Sequence, residues 1–280
     1  MSTSRGDRRS PISALVSGEG WHVQDLRRAS ARLELPFETI PFDRLECRLG
    51  GEGAEGARFG VVGDTRDLSD CGGVLVRLMP PGSLEQVVYR MDVLHGLEAA
   101  GLPVVNAPRA VEAAVDKYLA LARARSSGLP VPETWVGENA VSALEAFERL
   151  GGDVVVKPLF GSEGRGLLRV SDRELARRAL VTLERLGAVL YLQRYVDHPG
   201  HDARVFILAG NVLGAMRRHA AAGDWRTNIA VGGRPELIPV GREPELEQLA
   251  LRASAAIGAR PSSITTLKPN AWAGCHRRRR

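Results

Sequence analysis

"VVVKPLFGSEGRGLLRV", residues 154–170, is the stretch on which the fold turns. A β-branched apolar run ends in Lys157, the chain turns at Pro158, passes Gly161, Gly164 and Gly166, and returns to apolar residues. Two short apolar runs flanking a glycine-rich turn read as the strands of a hairpin. Glycine permits positive φ and lets main-chain N–H groups approach a phosphate closely. A lysine at the strand end adds a compact positive charge beside them. The competing reading is a solvent-exposed turn whose glycines only shape the backbone.

Three standard nucleotide motifs do not fit. A P-loop needs Lys and Ser/Thr directly after its last glycine, and Gly166 is followed by Leu167 and Leu168. A Rossmann fingerprint runs G-x-G-x-x-G into a helix, whereas this loop runs G-x-x-G-x-G into a strand. A protein kinase places its glycine loop before the lysine, and here Lys157 comes first.

Upstream, "PISALVSG" reads as a strand and "WHVQDLRRASARLEL" as an amphipathic helix. "GVLVRLMP" is a buried-type strand, "SLEQVVYRMDVLHGLEAAG" a helix closed by Gly101, and "LPVVNAP" a further strand. Alternating strands and helices predict a parallel α/β domain over residues 1–107. From Pro108 the texture changes. "PRAVEAAVDKYLALARARSSG" reads as one helix, "LPVPETWVG" as an edge strand, and residues 141–150 and 172–187 as helices around the hairpin. "AVLYLQRYV" is a strand, and "ARVFILAGNVLGAMRRHA" a hairpin turning at Gly210–Asn211. A last helix covers 243–258. Residues 108–258 thus form an α+β domain, and 259–280 an aberrant basic tail.

Composition limits the function classes. The 280 residues are 44% hydrophobic and 25% charged, ordinary for a globular protein. No apolar run approaches the roughly 18 residues that would span a bilayer, and "MSTSRGDRRSP" has no signal-peptide core. Cys47, Cys71 and Cys275 have unrelated spacings, so a reduced, cytoplasmic setting is expected. The net charge of +5 and pI near 9.5 raise the question of nucleic acid. Residues 248–280 hold seven Lys or Arg and no acid, and removing them takes the net charge from +5 to −2. The basicity belongs to the tail, so no nucleic-acid partner is expected, and no membrane. A homo-oligomer is compatible with the sequence and not required by it.

Read in order, the motifs become specific. They are Asp116–Lys117, V-V-K-P at 155–158 with G-S-x-G-x-G at 161–166, Q-x-Y at 193–195 with G-x-D-x-R at 200–204, Arg217–Arg218, and W-R-x-N at 225–228 with Gly232–Gly233. This set resembles the ATP-grasp superfamily, and within it the RimK-type α-L-glutamate ligases and tetrahydromethanopterin:glutamate ligases. The resemblance implies an ATP-grasp fold behind a small parallel α/β domain, with ATP between two α+β subdomains. It implies a carboxylate–amine ligase that uses ATP and Mg²⁺, joins glutamate to a carboxylate acceptor on a protein C-terminus or a pterin-type cofactor, and passes through an acyl phosphate. On that basis Lys117 and Lys157 hold the α- and β-phosphates, and Gly161, Ser162, Glu163, Gly164 and Gly166 form a lid. Gln193, Arg194, Tyr195 and Val196 form the adenine hinge, and Asp202 holds the ribose. Arg204, Arg217, Arg226 and Asn228 act on the γ-phosphate and acyl phosphate. Strand neighbours face opposite ways, so one of Arg217 and Arg218 reaches the site, and Arg217 is preferred. Trp21–His22 would face the acceptor, or would simply pack the helix start. His198 and His201 lie in a Pro-Gly loop with no third ligand, which argues against zinc.

The family's magnesium ligands, an acid followed by Glu-x-Asn, are not found. No Asp or Glu follows Glu247, and Lys268 stands where the glutamate would be, with Asn270 the one conceivable survivor. Mg²⁺ needs hard anionic oxygens, so no metal ligand is assigned. A frame shift near codon 259 or true degeneration would each explain the tail. In the latter case the chain is a nucleotide-binding pseudoenzyme.

Overall fold

A computed structural model describes residues 10–48, 60–63, 66–161 and 163–266. The chain divides into two compact units, 1–109 and 110–280. The first contains β1 (Ile12–Val16), α1 (Trp21–Arg32), β2 (Phe37–Pro41), β3 (Glu46–Arg48), β4 (Gly60–Gly63), β5 (Arg66–Asp67), β6 (Gly73–Val76), α2 (Leu84–Ala99) and β7 (Val104–Val105). Strands β2-β1-β6-β7 form a parallel sheet in that order, and β3-β4-β5 a small antiparallel sheet that the sequence did not announce. Both faces of β1 are covered, and its one polar side chain, Ser13, is buried with the rest. Ala14 and Val16 cluster with Val23 of α1, and Leu15 with Val93 and Leu94 of α2. Helix α2 begins in a capping box, Ser83 bonding the Gln86 amide while Gln86 bonds back to the Ser83 amide.

Helix α3 (Pro108–Val115) leads into the second unit. There follow α4 (Lys117–Ser126), β8 (Thr134–Gly137), α5 (Ala140–Arg149), β9 (Val154–Lys157), β10 (Leu168–Val170), α6 (Arg173–Arg185) and β11 (Leu190–Arg194). After these come β12 (His201–Leu208), β13 (Asn211–His219), β14 (Arg234–Ile238), α7 (Pro244–Ile257) and β15 (Ser262–Thr266). One antiparallel sheet has the order β10-β9-β11-β8, with the proline-flanked β8 at its edge. Phe147, Leu150, Ala176 and Leu180 of the α5–α6 layer pack with Val154, Val156, Leu190 and Leu192. Alternation therefore turns Val155, Lys157, Tyr191 and Gln193 to the opposite face. The other sheet has the order β14-β13-β12-β15. Helix α7 covers it through Leu246 and Ala250 against Ala203, Val205, Ile207, Ala215 and Ile238. That leaves Asp202, Arg204, Met216 and Arg218 on the uncovered face, in the register Asp202↔Arg218 and Arg204↔Met216.

Three expectations change. The helix expected over residues 108–128 is two helices, because Asp116 is extended and its carboxylate accepts from the Tyr118 and Leu119 amides, capping α4. The β12–β13 turn centres on Ala209 and Gly210, both left-handed at φ 48° and 80°, one residue before the expected Gly210–Asn211. Residues 262–266 of the supposed tail form β15, antiparallel to β12. The rest of the tail, with Lys268 and Asn270, lies outside the described residues, as does Ser162.

Asp116 starts α4 at the residue before Lys117, so the cap also sets where that lysine begins. Asp116→Ala should lose about 1 kcal/mol of stability and Asp116→Asn much less, measured as shifts in the midpoint of urea unfolding. Equal midpoints for wild type and Asp116→Ala would show that the cap contributes nothing.

Candidate functional site

Lys157 ends β9 on the face away from α5 and α6, opposite Tyr191 of β11. It is half-buried, and among the described residues no carboxylate pairs with it. Its ammonium donates to Gln193 Oε1 at 2.6 Å. The orientation of that amide follows from its neighbours. The Thr134 hydroxyl donates to Pro132 O at 2.9 Å, so its oxygen is left to accept from Gln193 Nε2, also at 2.9 Å. Gln193 must then present its carbonyl to Lys157. Burial, followed by the charge of Lys117, lowers the Lys157 pKa from the ordinary lysine value to about 8.

Lys117, in the first turn of α4, donates to the main-chain carbonyls of Leu159 (3.3 Å) and Gly161 (2.9 Å). Burial lowers its pKa as well. The two lysines thus converge on the start of the glycine loop. Within that loop Gly161, Glu163, Gly164 and Gly166 all have positive φ, and Glu163 pairs with Arg165 at 2.8 Å. Gly164 is the closest-fitting of them. A Cβ built there would lie 2.6 Å from Asn228 Oδ1, so the loop rests against the 227–228 segment.

That segment joins the loop to the second sheet. Thr227 donates to Asp202 Oδ2 at 2.7 Å, and Asp202 takes a bidentate pair from Arg218 at 2.8 and 2.5 Å, all of it buried. Arg204, one residue pair along the same face, has its pKa lowered by burial and then by the charge of Arg218. Arg218 is neutralised by Asp202, and Arg204 stands beside that pair in the same low-dielectric surroundings.

Several sequence assignments need correction. Arg217 points to the α7 side, where Glu243 pairs with it, so Arg218 is the member of that pair on the uncovered face. Alternation gave the opposition but not which face α7 covers. Asp202 is occupied by Arg218 and Thr227 and does not offer a free carboxylate to a ribose. Gln193 is buried and its side chain holds Lys157. Of the residues expected at an adenine hinge, fewer than four keep their main chain available. The Arg194 and Tyr195 amides bond to Glu133 O and Asp153 O, while no described residue bonds the main chain of Val196. The Arg194 side chain pairs with Glu133 on the surface, and Arg226 is held by Asp224 at 2.7 Å. Tyr195 lies under the Arg169 guanidinium at 3.4 Å and edge-on to Trp225. Thr134 and Thr227 went unread, because only strand pairing and loop packing bring them to Gln193 and Asp202. Among the described residues no group of three His, Cys, Asp or Glu is placed to hold a metal.

Paired lysines at a glycine loop, facing away from two helices and linked through Asn228 to an arginine-bearing sheet, form a cationic candidate site for an anionic ligand. The model for the ATP-grasp domain of prokaryotic glutathione synthetase matches residues 124–252. Tetrahydromethanopterin:alpha-L-glutamate ligase of Methanosarcina acetivorans is 35% identical over 91% of this chain and 81% of its own. The glutamate–LysW ligase ArgX of Sulfolobus acidocaldarius is 28% identical over 69% and 68%. The ATP-grasp ligase PsnB, solved with a minimal precursor, shares the fold with a TM-score of 0.68 at 20% identity, over 92% of this chain and 86% of its own. The chain belongs to the ATP-grasp superfamily, among the RimK-like α-L-glutamate ligases.

Two outcomes test the site. If Lys157 serves as a phosphate ligand it does so as the ammonium, so ADP affinity should fall as pH rises above about 8, by as much as about tenfold per unit. Titration calorimetry from neutral to mildly alkaline pH measures this, and Lys157→Met should flatten the profile. Gly164→Ala meets both the positive φ and Asn228, with the φ alone costing about 1–2 kcal/mol. Nucleotide-dependent protection of the loop in hydrogen exchange should be lost in that variant while α5 and α6 stay protected.

Proposed function

We propose that this protein is an ATP-dependent carboxylate–amine ligase that adds L-glutamate to a carboxylate acceptor, on a pterin-type cofactor or a protein C-terminus. The observation that carries the reading is Lys157, held part-way out of water without a carboxylate partner, beside Lys117 and under the glycine loop. In the reaction a carboxylate oxygen attacks the γ-phosphorus and ADP leaves, giving an acyl phosphate. The glutamate nitrogen then attacks the acyl carbon, the C–O bond to phosphate breaks, and the amine proton is released. The approach of one anion to another is the obstacle, and oriented cations remove it. In this reading Lys117 and Lys157 take the α- and β-phosphates, and Arg204 and Arg218 face the transferring group. Asp202 and Thr227 hold Arg218 in place. Gly161 to Gly166 exclude water, Asn228 seats the loop, and Val196 offers its main chain to adenine. Arg226 and Tyr195 border the site. Residues 1–107 form a leading domain and 108–258 the ATP-grasp domain. The chain works in the cytoplasm.

A Mg²⁺ ion belongs to the family chemistry, but the donors among the described residues do not fit it. No described cluster would hold it and no acid follows Glu247, so no step is assigned to a metal. The same observation favours a second reading, a pseudoenzyme that binds nucleotide without ligation. Titration of ADP separates both readings from a bland structural turn. Lys157→Ala should lose about 1.5–3 kcal/mol of binding, and unchanged affinity would remove the nucleotide site. ADP formation with L-glutamate and a glutamate-terminated peptide separates ligase from pseudoenzyme. Replacing residues 259–280 by a strand pair carrying Asp and Glu-x-Asn should raise that rate by about 10²–10³. An ordinary ligase rate in the unaltered chain would place the metal on acids elsewhere.

A further inference from the structure

The face that the second sheet turns away from α7 bears on the ionic form of the ligand. From Asp202 and Arg204 on β12 the register runs to Arg218 and Met216 on β13, to Leu237 on β14 and to Thr265 on β15. Asp202 is the one acid among these, and it is spent. Arg218 takes both of its oxygens and Thr227 donates to Oδ2 as well. Strand β15 could have set a second carboxylate opposite Arg204. It sets the Thr265 hydroxyl there, which accepts from Arg218 Nη2 at 3.3 Å.

The acids on the loops and helix around the site are engaged too. Asp116 caps α4, Glu163 pairs with Arg165, and Asp224 with Arg226. Asp197, past the hinge, acts on Tyr195 and Arg169. A divalent ion that bridges phosphates needs hard anionic oxygens that can turn toward it. Taking Asp202 for that purpose would strand the buried guanidinium of Arg218. The lysines have the reverse character. Among the described residues Lys117 donates to the carbonyls of Leu159 and Gly161, and Lys157 to Gln193, all of them neutral acceptors.

We propose that the site takes a nucleoside polyphosphate in its metal-free form, with Lys117 and Lys157 standing in for a divalent cation, so that Mg²⁺ opposes binding. The proposal rests on the nucleotide site common to the ligase and pseudoenzyme readings, and adds to it the ionic form of the ligand. Free ADP carries more uncompensated charge than its magnesium complex. Half-buried ammonium groups that no internal carboxylate pairs with gain most from the more anionic form. Magnesium coordinates the same phosphate oxygens that the lysines would hold. With no carboxylate to receive it, the ion competes with the protein for the ligand and does not bridge the two.

The test is titration calorimetry of the full chain with ADP, once in EDTA and once in excess Mg²⁺, with ionic strength matched by NaCl so that screening is equal. Affinity in EDTA should exceed that in Mg²⁺ at least about tenfold. Lys117→Met should lose most of that difference, because the missing charge is felt chiefly by the metal-free ligand. Thr265→Asp, a change at an exposed position that the fold tolerates, returns a carboxylate to the face and should also narrow it. Equal affinity in the two buffers, or tighter binding with Mg²⁺, would overturn the proposal and leave the nucleotide site standing. A difference unchanged in both variants would assign it to chelation of ADP in solution, and would overturn the proposal as well. Binding in neither buffer would overturn the nucleotide site together with the proposal, and the response of ADP affinity to Lys157→Ala reports on that site separately.

Discussion

Lys157 is a cation lodged part-way out of water with no carboxylate among the described residues to neutralise it, and much of the second unit is arranged around that fact. A fall from the ordinary lysine range to about 8 corresponds to about 3 kcal/mol working against the charged form. A carboxylate partner would remove that cost and also fill the place of an anionic ligand. The structure supplies a neutral acceptor instead. Gln193 bonds to the ammonium without cancelling its charge, and Thr134 and Pro132 O fix the direction of the Gln193 amide. The antiparallel pairing of β11 with both β9 and β8 brings these three side chains together. Lys157 is thereby aimed and kept available.

The second sheet treats its arginines in the opposite way. Arg218 is neutralised completely by Asp202, with Thr227 filling a further lone pair of that carboxylate. A buried ion pair of this kind adds little net stability, since desolvation offsets much of the attraction, but it defines geometry. Here it fixes the strand face on which Arg204 stands and ties down the loop before Asn228. Because Gly164 has no side chain, the glycine hairpin comes to rest against Asn228. A local choice of glycine on one sheet therefore depends on a hydrogen-bonded network on the other.

The legible parts of this design were those encoded by periodicity. The run from Val154 to Lys157, the glycine loop and the return at Leu168 could be read directly, as could the coverage of β1 and β6 by helices. What escaped depended on partners remote in sequence. Whether Arg217 or Arg218 faces the site depends on where α7 packs. Whether Asp202 is free depends on the cross-strand register that puts Arg218 opposite it. Asp116 looked like one more polar residue in a helical stretch, and only its extended backbone makes it a cap. The strands β3 to β5 and β14 are short, polar or glycine-bearing, and lack the alternation by which strands are recognised.

On the proposed reading, the cations of the second unit suit the shape of a polyphosphate. A polyphosphate offers many oxygens in no single plane, and ammonium groups meet it as point charges that rotate to suit. Lysines stand under the glycine loop accordingly. Lys157 is half-buried and no carboxylate among the described residues pairs with it, and an internal counter-ion would compete with the ligand. The cost of desolvating the charge is carried by the packed sheet beneath it. On the proposed reading, nucleotide binding relieves that cost, which links the stability of the second unit to occupancy of its site.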